Sequence, residues 1–214
     1  MSERREVRLD AAIETGAKRA FAWAPDWPGW CRSGRDEDAA LEALLQYRDR
    51  YTAAIASSGL TVPAVTTWRI AESLPGSATT DFGAPGAISV RDRTALRGTA
   101  LLQQVSCLTA CWQTLDDVAA TAPPRLRKGP RGGGRDRDAI VEHVDSAESA
   151  YGRKIGVRTS DATTDVRREL IVEALRAGGL PQGPRAKPWP LRYAIRRIAW
   201  HVLDHAWEIE DKSE

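Results

Sequence analysis

Apolar residues recur at helical spacing throughout the second half of the chain. Four stretches carry such a stripe, at about residues 93–121, 136–157, 163–178 and 190–210. Segments rich in Pro, Gly or polar residues separate them. Each stripe can be buried only against neighbouring helices, so this pattern predicts a four-helix bundle.

The N-terminal part of the chain has a different pattern. Short runs of mixed apolar content at residues 7–13 and 19–23 flank a hairpin-type turn at residues 14–17, which predicts two strands. A turn rich in Pro and Gly occupies residues 25–34. Residues 38–56 then show apolar positions at helical spacing behind a group of acidic residues, which favours a helix start. This part of the chain therefore reads as strand, strand, helix.

Between these two parts, residues 61–91 are rich in Thr, Pro, Gly and Ser, and this composition predicts an irregular linker. A domain boundary is expected near residue 85. The sequence therefore predicts an α+β protein, with a small sheet-plus-helix module at residues 1–60 and a four-helix bundle at residues 92–214.

Composition narrows the function classes. Of the 214 residues, 42% are hydrophobic and 28% are charged, which is typical of a folded globular protein. No run approaches the roughly 18 to 20 apolar residues that a membrane-spanning helix needs, and the first ten residues lack the apolar stretch of a signal peptide. The cytoplasm is therefore the expected location. The 31 basic and 29 acidic residues are too balanced to indicate nucleic-acid binding.

The three histidines of the chain carry its candidate chemistry. On a helical wheel of the last stretch centred on Ile198, His205 lies roughly 20° and His201 roughly 60° from the apolar centre. Their i, i+4 spacing places both rings on one face. His143 shares the inward face of the second stretch with Ile140 and with two small alanines. Three imidazoles on inward faces of two helices predict a divalent metal site, and hydrogen-bonded core histidines are the alternative.

Three further side chains are candidate catalytic residues. On the same wheel, Arg197 and Glu208 share the edge of His201, where they could orient a ligand, hold a substrate carboxylate or receive a proton. Tyr151 follows His143 by two turns and could donate a hydrogen bond to a substrate. The alternatives are an exposed pair of charges for Arg197 and Glu208, and a core tyrosine for Tyr151.

The two segments that contain the three histidines resemble the motifs of a known family. The segments Val141-Glu142-His143-Val144 and His201-Val202-Leu203-Asp204-His205 are similar to the metal motifs of the DinB/YfiT-like superfamily of four-helix metalloproteins, in which one histidine of the second helix joins a His-x-x-x-His pair on the fourth. The resemblance implies a Zn²⁺ or Ni²⁺ ion, a small-molecule substrate and an S-transferase or isomerase that uses a low-molecular-weight thiol such as mycothiol or bacillithiol. A metal-dependent hydrolase remains an alternative. DinB-like bundles commonly dimerise, so a homodimer is a further expectation.

The N-terminal part resembles a second family. The turn Pro25-Asp26-Trp27-Pro28-Gly29, followed by Cys31 and by the helix that starts at Asp36 and Glu37, is similar to the HicB-like antitoxin domain. That resemblance implies a small sheet-and-helix fold and, as another alternative, a non-catalytic interaction or regulatory protein. The separate DNA-binding region of the antitoxins has no recognisable counterpart in this sequence.

Overall fold

The computed structural model describes residues 7–65, 67–129, 133–158, 162–180, 182 and 187–213, so parts of the breaks expected between the long helices lie outside the described residues. The chain is an α+β protein, as the sequence predicts. Its strands are β1 (Arg8–Thr15), β2 (Ala20–Trp23), β3 (Cys31–Gly34) and β4 (Thr67–Pro75). Its α-helices are α1 (Glu37–Gln46), α2 (Arg48–Ala54), α3 (Ala78–Phe82), α4 (Val90–Arg93), α5 (Gly98–Thr121), α6 (Arg137–Gly152), α7 (Thr164–Arg176) and α8 (Leu191–Ser213).

The four strands form one sheet in the order β3-β2-β1-β4. β2 runs antiparallel to both β1 and β3, and β4 lies parallel to β1 at the edge. All four residues of β2 are buried, because both faces of the sheet are covered at its centre. The alternation of side chains directs Ile13 into the large core and Glu14 to the opposite face.

The irregular linker expected at residues 61–91 is a wrong prediction, because this segment contains β4, α3 and the start of α4. β4 has no buried residue, so it lacks the apolar alternation by which a strand is detected in a sequence. β3 was also missed, since only Cys31 of its four residues is buried. The helix expected at residues 38–56 is divided into α1 and α2.

The four long helices lie close to their expected positions. α5 begins at Gly98, later than expected, whereas α6, α7 and α8 each begin within one residue of the prediction. One buried cluster includes Ile13 of the sheet together with residues of all four helices, among them Leu108, Ile140, Ile171 and Ile198. The sheet and the helices therefore share a core. Among the described residues, no helix has both the length and the apolar character needed to cross a membrane.

The turn before β3 is packed into this shared core. Trp30 is fully buried and stacks on Tyr51 with ring centroids 5.2 Å apart, and the Tyr51 hydroxyl donates to the Pro28 carbonyl (3.0 Å). Gly29 has φ +92°, and a Cβ there would lie 2.9 Å from Cδ1 of Leu203 in α8. Glycine is therefore required at this position both by its backbone conformation and by the close approach of α8.

Residues 85–87 tie the sheet to α8. Three side chains of α8 donate hydrogen bonds to three consecutive carbonyls: Arg197 to Pro85 (3.0 Å), Tyr193 to Gly86 (3.1 Å) and Arg196 to Ala87 (2.9 Å). From the other side, the buried Glu14 carboxylate accepts hydrogen bonds from the backbone N–H groups of Gly86 and Ala87. These hydrogen bonds hold residues 85–87 next to the part of α8 that precedes the histidines.

Candidate metal centre

The three histidines come together between α6 and α8. One ring nitrogen from each of His143, His201 and His205 can be chosen so that all three lie within 4.8 Å of one another. The ring centroid of His143 is 5.1 Å from that of His201 and 4.9 Å from that of His205, and the centroids of His201 and His205 are 4.6 Å apart. The cluster is therefore compact enough for a single ion to be considered.

Helix packing explains this convergence. His201 and His205 are one turn apart on α8, so their side chains project from the same face. On α6, Ile140 and Val144 are one turn apart and fully buried in the core shared with α8, and the partly buried His143 lies at the edge of the face that they define. The same apolar stripes that hold the two helices together thus bring the imidazoles to one place.

Burial keeps the imidazoles of His201 and His143 neutral. His201 is 7% exposed, and its burial, followed by the neighbouring rings of His205 and His143, lowers its pKa to about 2. Burial and then the positive charge of Arg135 also lower the pKa of His143. The neutral ring is the form of histidine that binds a metal ion, so both residues are ready to act as ligands near neutral pH.

Glu208 fixes the orientation of His205. Its carboxylate accepts a hydrogen bond from Nδ1 of His205 (2.7 Å) and also pairs with Lys212. The bond from His205, followed by that from Lys212, lowers the pKa of Glu208 to about 2. A neutral His205 that donates from Nδ1 has its lone pair on Nε2. This is the carboxylate-histidine arrangement that orients ligands around protein-bound metals.

The donor set fits a transition-metal ion. Nδ1 of His201 is buried and has no hydrogen-bond partner among the described residues, so a polar atom at the cluster needs a partner. Imidazole nitrogens suit Zn, Ni, Cu and Fe ions. Nitrogens bound tetrahedrally at about 2.0–2.1 Å from one ion lie about 3.4 Å apart, a separation that modest rotations of clustered rings can reach. Three protein ligands would leave a position open, as in catalytic sites.

The other candidate residues lie in two places: Tyr151 and Arg197 are near His201, and Glu208 is at His205. The ring of Tyr151 meets the ring of His201 edge-on with centroids 5.6 Å apart, and the Arg197 guanidinium lies 5.6 Å from the Tyr151 ring centroid. Glu208 does not accompany them. It contacts His205 rather than His201, because a helical wheel does not show position along the axis, and residues 201 and 208 are seven positions, about 10 Å of helix, apart.

Two tryptophans near the cluster were missed from the sequence. Trp189 packs on Tyr151 with ring centroids 5.2 Å apart, and the Trp200 ring lies 5.9 Å from the His201 ring. Trp189 stands between two prolines just before α8, outside any periodic stretch. Its flanking prolines mark a fixed loop at a helix start and are the signal that could have drawn attention to it.

No family model, curated protein or solved structure matches the chain. The likenesses to DinB-like and HicB-like proteins therefore remain proposals that rest on the motifs quoted above, and the site has to be judged on its own geometry.

The contact between Glu208 and His205 leads to a prediction. Replacing Glu208 with Gln removes the charge that holds the Nδ1 proton, so the affinity for Zn²⁺ is expected to fall about 10- to 100-fold while the protein still folds. Competition with a chromophoric chelator measures the affinity. The control is Glu173→Gln, which makes the same change at an exposed position of α7 and should leave the affinity unchanged. Equal affinities for both variants would show that Glu208 does not support the site.

Proposed function

We propose that the protein is a divalent-metal-dependent enzyme in which His143, His201 and His205 bind Zn²⁺ or Ni²⁺. The observation that supports this most is the convergence of three imidazoles from two helices within 4.8 Å. The unpaired Nδ1 of the buried His201 adds to it. A buried polar atom without a partner costs about 1–3 kcal/mol, and metal binding at the cluster offers a reason for retaining it.

The proposed activity is the activation of a low-molecular-weight thiol for an S-transferase or isomerase reaction. A divalent ion with an open position lowers the pKa of a thiol or water bound to it and so supplies a nucleophile near neutral pH. Mycothiol and bacillithiol are the thiols that the DinB-like motifs suggest. A hydrolase that uses water at the same three histidines is the alternative activity.

The residues around the cluster have separate roles in this proposal. Glu208 acts through His205 and is a positioning residue, because its carboxylate is hydrogen-bonded to Nδ1 of the His205 ring. Tyr151 and Arg197 lie on the side of His201 that faces away from Glu208 along α8. They are the residues proposed to contact the substrate, Tyr151 as a hydrogen-bond donor and Arg197 as a positive charge.

The alternative of a non-catalytic interaction protein has less support. The turn that resembles HicB-like domains is packed against α8 at Gly29, and its Trp30 is fully buried. A surface used for partner recognition would need accessible side chains. The structural role of this turn is sufficient to explain its sequence.

Metal analysis of the purified protein tests the proposal. We expect about one Zn²⁺ or Ni²⁺ per chain by elemental mass spectrometry, removed by a chelator and restored by adding the ion. Screening the restored and the metal-stripped protein with thiols plus electrophiles, and with esters and amides, then distinguishes the two activities. A native protein that neither contains nor takes up an ion would overturn the metal proposal. Hydrolysis alone would overturn only the thiol reaction.

A further inference from the structure

Arg197 is a buried positive charge without a matching negative charge. It is only 9% exposed. The other two buried arginines of α8 each have a carboxylate nearby: Arg196 pairs with Asp92 (2.7 Å) and Arg192 lies 3.5 Å from Asp26. Over the described part of the chain, no ion pair is formed by Arg197.

Its surroundings fix the guanidinium without neutralising it. One nitrogen, Nη1, donates to the buried Pro85 carbonyl (3.0 Å), and the group lies over the Trp200 ring at 4.7 Å from the centroid. Among the residues described by the structure, the remaining N–H groups of Arg197 have no hydrogen-bond acceptor. A guanidinium carries five N–H donors in a planar fork, so most of its donor capacity is left for a ligand.

Arg197 also lies beside the histidine cluster. It precedes His201 by one turn of α8 and therefore projects from the same face. Tyr151 lies between them, since its ring contacts both the guanidinium and the His201 ring. The free donors of Arg197 thus belong to the neighbourhood of the proposed metal centre and not to a separate surface.

The charges facing this neighbourhood favour an anion. The exposed Arg135 acts electrostatically on both His143 and His201, and Asp204, a carboxylate near His205, is paired with Arg32. The nearby carboxylate of Glu208 is already engaged by His205 and Lys212. A region with an excess of positive charge and low solvent access attracts negatively charged ligands.

We propose that Arg197 binds a carboxylate group of a small-molecule substrate held beside the three histidines. Two parallel N–H···O bonds from a guanidinium to a carboxylate are among the strongest and most directional in proteins. They would also supply the counter-charge that the buried arginine lacks. This inference deepens the proposed function by naming the class of its substrate. Whether the bound carboxylate compound then reacts depends on the metal centre of that proposal.

Benzoate and its neutral analogue benzamide are suitable probes. In isothermal titration calorimetry with the protein as purified, we expect benzoate to bind at least about tenfold more tightly than benzamide. Arg197→Gln is expected to abolish this preference, and Arg197→Lys, which keeps the charge but not the fork, to retain part of it. The control is Arg176→Gln, which removes a charge from an exposed position at the end of α7 and should keep the full preference.

The outcomes separate this inference from the metal proposal. A protein that neither contains nor takes up an ion but still prefers benzoate through Arg197 would support carboxylate binding and overturn the metal proposal. A metal-containing protein in which Arg197→Gln keeps the preference of the unaltered protein would overturn carboxylate binding alone. If Arg197→Gln fails to fold, as judged by circular dichroism, Arg197→Lys decides: an unchanged preference overturns the inference, and a reduced one supports it.

Discussion

Replacing His201 with Ala is expected to abolish the stabilisation of the fold by Zn²⁺. An ion that binds the folded chain and not the unfolded one adds RT ln(1 + [ion]/Kd) to the free energy of unfolding, which is about 4 kcal/mol at a free ion concentration of 1,000 Kd. His201 is the most buried of the three histidines, and its loss leaves two ligands for an ion that needs at least three. Thermal unfolding with and without added Zn²⁺ measures the effect.

Tyr151→Phe is the matched control for this experiment. It changes a residue whose ring contacts His201 but which lies outside the group of nitrogen ligands. This variant should be stabilised by Zn²⁺ as much as the unaltered protein, whereas His143→Ala and His205→Ala should behave like His201→Ala. Equal stabilisation of the His201→Ala variant and the unaltered protein would place the ion elsewhere on the chain.

The long helices could be predicted because their buried apolar residues recur at helical spacing in the sequence. Ile195, Ile198 and Val202 mark the inward face of α8, and that face also carries His201 and His205. The inward faces of α6 and α8, together with the assumption that these two helices pack against each other, predict that His143 meets the other two rings. A small bundle offers few alternatives to that assumption.

The remaining parts of the site depend on contacts between distant segments. The Pro85 carbonyl that holds Arg197 lies in a segment expected to be a linker, and no local pattern indicates a carbonyl as an acceptor. β4 lies at the sheet edge with its side chains largely solvated, so composition suggested a loop. For Glu208 the helical wheel gave the correct side of α8 but not the distance along its axis, and the partner is His205.

The second large effect is expected from breaking the buried ion pair between Asp92 and Arg196. Their side chains are 5% and 4% exposed, and two hydrogen bonds of 2.7 and 3.2 Å join them. Asp92→Asn leaves the buried Arg196 guanidinium without a counter-charge, in contact with the Ala87 carbonyl and the rings of Trp23 and Tyr193. Removing one partner of such a pair costs about 3–5 kcal/mol of unfolding free energy. Urea-induced unfolding measures it.

The exposed pair of Asp10 and Arg69 provides the comparison. It also has two hydrogen bonds, of 2.5 and 2.7 Å, but solvent screens its charges, so Asp10→Asn is expected to change stability much less than Asp92→Asn. If the two substitutions cost the same, burial is not what makes the inner pair important.

A double variant separates the pair itself from the cost of leaving one charge alone. With Arg196→Met added to Asp92→Asn, the buried guanidinium that Asp92 pairs with is removed too, so the double variant should be less destabilised than the sum of the single variants by at least about 1 kcal/mol. Additive losses would mean that each residue acts through its other contacts. For Asp92 these include the backbone N–H of Ser89, which its side chain caps at the start of α4.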